Sequence, residues 1–71
     1  MPKQRKYYTL AVFDGYWAPQ FGDYDRAVVD QERQDWRDNG TLAKHLKVIA
    51  TGDSDASIMA AIDKLNQRKV N

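Results

Sequence analysis

No cysteine occurs anywhere in this 71-residue chain and only one histidine does, so neither a disulfide nor a nitrogen- or sulfur-ligated structural zinc can hold its fold together. A chain this short buries only about 60% of the surface its unfolded form exposes. That leaves ordinary packing, with association as an optional further source of stability. With 42% apolar and 30% charged residues, the composition is that of a folded domain rather than a disordered one. One domain over 1–71 is expected, with 1–6 a flexible basic tail and 67–71 a fraying C-terminus.

Two periodicities organise the chain. Tyr7-Tyr8-Thr9-Leu10-Ala11-Val12-Phe13 is aromatic and β-branched and stops at Asp14-Gly15, which reads as a strand followed by a tight hairpin turn with positive φ. Tyr16-Trp17-Ala18 can pair back on it, and Pro19, lacking an N–H, confines that second strand to an edge. Gly22-Asp23 is expected to open a helix with Asp23 as N-cap. Tyr24, Ala27, Val28 and Gln31 share one face of that helix, Val29, Glu32, Arg33 and Trp36 lie beside it, and Asn39-Gly40 ends it. Lys44 to Thr51 alternates as a half-buried strand, and Gly52-Asp53-Ser54 turns into a second helix whose stripe is Ile58, Ala61, Ile62 and Leu65.

The expected fold is α/β (α+β), a small single-layer sheet of two or three strands with two helices in the order β(β)αβα. A strand–helix–strand unit of this length favours a right-handed parallel crossover, with the hairpin adding an antiparallel edge. Both helices are expected on the sheet face that bears Tyr8, Leu10, Val12, Leu46, Val48 and Ala50. The opposite face, with Tyr7, Thr9, Ala11, Phe13, Lys47 and Ile49, would then be an apolar patch suited to homodimerisation.

A net charge of +1 argues against a surface that strongly attracts nucleic acid. The charge is unevenly spread: Lys3, Arg5 and Lys6 make the N-terminal tail basic, whereas residues 23–38 set six carboxylates against three arginines. No apolar run approaches the roughly 20 residues that span a bilayer. The basic start followed by Tyr7–Phe13 is too short an apolar stretch for a secretion signal, and the lack of cysteine fits a cytoplasmic protein.

Catalytic chemistry is poorly provided for. A hydrolytic triad needs a nucleophile, a base and an orienting group; His45 is the only candidate for the usual base, and it lies within a strand among lysines, so a structural or solvated role is expected. The pairs Asp23/Asp25 and Asp53/Asp55 could bind a hard cation, but both stand at helix starts, where capping and the helix dipole already favour acids. Thr51-Gly52-Asp53-Ser54 joins strand to helix where phosphates often sit, yet its aspartates repel phosphate and no P-loop lysine follows. The expectation is a protein that is not an enzyme, with no metal and no cofactor.

Binding is better supported. Tyr16, Trp17, Phe21 and Tyr24 place four aromatics within nine residues, and such side chains dominate interface hot spots, so this set is the candidate partner-binding surface. The alternative is that the segment folds back and plugs the core. A second candidate is a nucleic-acid surface on the outer sheet face, with Tyr7 and Phe13 stacking bases, Lys47 beside them, and Lys3, Arg5 and Lys6 contacting phosphates.

The run Trp17-Ala18-Pro19-Gln20-Phe21-Gly22-Asp23-Tyr24-Asp25-Arg26-Ala27, followed by His45-Leu46-Lys47-Val48-Ile49-Ala50-Thr51-Gly52-Asp53, resembles short reading frames of phage and prophage regions. The resemblance implies a protein partner in the host, which the chain would block or redirect as anti-CRISPR and polymerase-binding proteins do. It assigns no residue a role.

Overall fold

The computed structural model describes residues 6–67. Lys3, Arg5 and residues 68–71, to which the sequence assigns a basic tail and a fraying end, lie outside that range. The described residues form an α+β fold in the order β1 (Tyr7–Phe13), β2 (Trp17–Asp23), α1 (Arg26–Asp38), β3 (Leu46–Thr51) and α2 (Asp55–Gln67), with a 3₁₀ turn at Ala43–His45. The three strands make one antiparallel sheet in the order β2-β1-β3, so the most apolar strand is central.

β1 and β2 are joined by a three-residue turn, Asp14 to Tyr16, in which only Gly15 has positive φ (85°) and the Asp14 N–H donates to the Tyr16 carbonyl at 3.0 Å. β2 is longer than Tyr16-Trp17-Ala18 and runs through Pro19 and Gly22 to Asp23. It does so by a bulge: Ala11 faces Pro19 and Leu10 faces Phe21, which leaves Gln20 as the extra residue. In an unbroken strand Pro19 and Phe21 would share a face; the bulge absorbs Gln20, so Phe21 lies on the opposite one, with Leu10. Strand pairing thus occupies Asp23, and the N-cap of α1 is Asp25, whose carboxylate accepts from the Ala27 N–H at 2.9 Å.

The far end of α1 closes as the sequence indicates. Gly40 (φ 106°) donates to the Arg37 carbonyl and Thr41 to the Trp36 carbonyl, both at 3.0 Å, a Schellman motif whose left-handed residue favours glycine. At the start of α2, Ser54 is the cap: its side chain accepts from the Ser57 N–H at 3.1 Å.

Two expectations about layering require correction. β1 is antiparallel to both its neighbours, so no parallel ladder forms among the described residues; β2 and β3 run the same way but with β1 between them. Nor do the helices share a face. α1 covers one side, where Leu10, Val12, Leu46 and Val29 form a core flanked by Tyr8, Phe21, Trp36 and Val48. On the other side Thr9 (1% exposed) and Ala11 (0%) are buried as fully as Leu10. α2 supplies that cover: Ile58 and Met59 share a cleft with Tyr7 and Thr9, Asn66 bonds the backbone of Trp17, and Ile62 between them is 1% exposed. The physical reason is visible in β1 itself, which is apolar on both faces and would waste half its burial under a single layer.

α1 also presents a different line inward. Val29 and Trp36 face the sheet with Glu32 and Arg33 half-buried beside them, whereas Ala27 and Val28 are exposed. Val29 and Trp36 are two turns apart, and the larger indole decides which stripe is buried.

Candidate functional site

The four aromatics of the segment 16–24 do not converge, because that segment is a strand rather than a loop. Phe21 packs against the α1-side core. Trp17 lies half-buried on the α2 side, 5.3 Å from the Phe13 ring and with the Lys47 ammonium 5.9 Å from its centroid. Tyr24 stands edge-on to Tyr7 at 4.9 Å and donates a hydrogen bond to Asp53, tying the entry of α1 to that of α2. Tyr16 is the most exposed of the four, 65% at the tip of the β1–β2 turn against 37% for Tyr24.

Nor does the outer sheet face form an open aromatic platform. Tyr7 and Phe13 stand at opposite ends of β1, about 20 Å apart at strand rise, and α2 crosses the face they share. Tyr7 lies over Gly22, where an added Cβ would come within 2.5 Å of its hydroxyl. At the other end Phe13, Trp17 and Lys47 meet, with His45 closing the group at 5.6 Å from Phe13. Lys6 is exposed just before β1. His45 belongs to the 3₁₀ turn before β3, without a nucleophile or an orienting carboxylate among its observed contacts.

A concavity lies where the β1–β2 turn meets the end of α1. It is a groove of about 560 Å³ lined by Phe13, Tyr16, Ala18, Trp36, Leu42 and His45, with Asp14 and Gln20 at its margin. Tyr16 and Leu42 are large apolar side chains, 65% and 55% exposed, and the half-buried Trp36 lies in the wall between sheet and helix. Each part is held by a feature already described: the three-residue turn sets out Tyr16, and the Schellman closure at Gly40 turns the chain so that Thr41 and Leu42 border the groove. Sequence reasoning singled out Tyr16 but missed Leu42 and Trp36. Leu42 is an apolar residue isolated just after a helix stop, outside either periodic pattern, and that isolation was the available signal.

A second cleft, of about 460 Å³, separates the outer edge of β2 from α2 and is bordered by Tyr7, Pro19, Gly22, Ile58 and the exposed Met59. Among the described residues no group of three or more His, Asp or Glu side chains is placed to hold a metal ion. No helix among them is long and apolar enough to cross a membrane.

Comparison with protein-family models, with curated proteins and with solved structures returns no match to this chain.

Proposed function

We propose that the chain is a non-enzymatic protein-binding module acting in the cytoplasm, and that it engages its partner through the groove between the β1–β2 turn and the end of α1. One observation carries this reading: two large apolar side chains, Tyr16 and Leu42, stand more than half exposed on a groove that reaches down to Trp36. An apolar centre with Asp14, Gln20 and Thr41 around it matches the anatomy of a protein interface, in which buried aromatic anchors supply affinity and a polar rim supplies register. The likeness to phage and prophage reading frames supplies the partner class, a host protein whose complex the chain inhibits or redirects. The nucleic-acid and face-to-face dimer alternatives have less support, because both need the sheet face that α2 covers.

The test is a pull-down from host extract, with and without nuclease, comparing the unmodified chain with a Tyr16→Ala/Leu42→Ser variant. Both side chains are exposed, so the variant should keep its stability within about 0.5 kcal/mol. The expected result is a stoichiometric protein that survives nuclease and is lost with the variant. Capture that vanishes on nuclease treatment, or that the folded variant retains, would overturn the reading.

A further inference from the structure

The two edges of the sheet are built differently. The Asp14 N–H bond to the Tyr16 carbonyl makes Phe13 and Trp17 a pair whose backbone groups point away from each other. Trp17 and Pro19 therefore direct their main-chain atoms to the outer edge of β2. That edge is closed at both positions: the Asn66 carboxamide accepts from the Trp17 N–H at 2.7 Å and donates to its carbonyl at 3.2 Å, and Pro19 has no N–H to offer. The bulge at Gln20 interrupts the rest.

The same alternation makes the odd-numbered residues of β1 bond β3, so Lys47, Ile49 and Thr51 face inward and Leu46, Val48 and Ala50 direct their backbone groups outward. The Leu46 N–H is taken by Ala43. Nothing in β3 resembles the devices on β2: Leu46-Lys47-Val48-Ile49-Ala50-Thr51 has no proline and pairs with β1 without a bulge. Its one charge does not guard the edge either, because the Lys47 ammonium reaches inward to the Trp17 ring, 5.9 Å from its centroid.

We propose that β3 is an assembly edge, and that a second copy of this chain pairs with it antiparallel about a two-fold axis at Val48. That register keeps like faces together, placing both copies of α1 on one side of a six-stranded sheet and both copies of α2 on the other. Val48 donates to the Val48 carbonyl of the second copy and Ala50 to that of Leu46, while Lys47 lies opposite Ile49, so no like charges oppose each other. With one edge closed and one open among the described residues, the assembly stops at a dimer instead of growing into a fibre.

Sedimentation over a range of concentrations tests this, with Ala50→Pro as the variant. Ala50 is exposed and its N–H points outward, so proline there spares the β1–β3 ladder. The unmodified chain should move reversibly from its 8.2 kDa monomer to twice that mass as concentration rises, and the variant should stay monomeric with an unchanged circular dichroism spectrum. Should the variant fail to fold, amide exchange in the unmodified chain decides: Val48 and Ala50 should exchange roughly tenfold more slowly in concentrated than in dilute solution. A monomer mass at every concentration, self-association untouched by Ala50→Pro, or concentration-independent exchange at those two amides would overturn the proposal. None of these outcomes depends on the groove, so the two proposals fail separately.

Discussion

The Asn66 side chain completes the backbone of Trp17, accepting from its N–H at 2.7 Å and donating to its carbonyl at 3.2 Å across 49 residues of sequence. One carboxamide thereby does what a neighbouring strand would do, and it fastens the last turn of α2 to the first residue of β2. Asn66→Ala leaves both main-chain groups without that partner in a partly buried place. The expected loss is about 1–3 kcal/mol by urea denaturation.

Thr9 and Thr51 share a hydrogen bond at 3.0 Å, and Thr51 also donates to the Gly52 carbonyl at 2.7 Å. A hydroxyl has one hydrogen, so Thr9 is the donor of the pair. The two replacements should differ because Thr9 is fully buried and Thr51 is not. Thr51→Val strands the Thr9 hydroxyl and should destabilise by about 1–3 kcal/mol, whereas Thr9→Val removes the buried polar group itself and should cost about 1 kcal/mol or less. Equal losses in thermal denaturation would contradict this account of the Thr9 hydroxyl.

Gln20 is the extra residue of the bulge, and its side chain is exposed. Deleting it sets Phe21 directly after Pro19, still opposite Leu10, so ordinary alternation keeps the ring on the α1 side of the sheet. Gln20→Ala keeps the bulge and should shift stability by no more than about 0.5 kcal/mol, read from the urea midpoint.

Gly40→Ala meets no steric obstacle, since nothing lies within 4 Å of the added Cβ, but it forces a φ of 106° on an L side chain. The expected cost is about 1–2 kcal/mol. Because Gly40 also sets the path of Thr41 and Leu42, the same variant should weaken partner capture beyond its effect on stability, read by comparing binding at a temperature where both proteins are folded.

Periodicity made β1, β3 and the apolar stripe of α2 legible, and the Asn39-Gly40 stop of α1 as well. β2 was partly hidden because Pro19 and Gly22 read as loop, and because a bulge breaks the alternation by which a strand is recognised. The N-cap was misplaced for the same reason: Asp23 and Asp25 are equally suitable caps in isolation, and only the length of β2 chooses between them. Which side of the sheet each helix takes is a different kind of fact. A helical stripe shows what must be buried, not beneath which face, although the double-sided apolar character of Tyr7–Phe13 already required cover on both. The candidate site was legible only at Tyr16. Trp36 and Leu42 join it through the Schellman closure, which sets the chain direction after α1 and leaves no periodic trace.

The placement of one helix on each sheet face underlies the groove beside α1 and the closing of the β2 edge by α2. Nuclear Overhauser contacts from the Ala11 methyl group test it most directly, since Ala11 is completely buried at the middle of β1. Contacts to the methyl groups of Ile58 or Ile62 on α2, with none to Val29 or Trp36 on α1, are the expected pattern. Contacts from Ala11 to Val29 or Trp36 instead would contradict the two-sided arrangement.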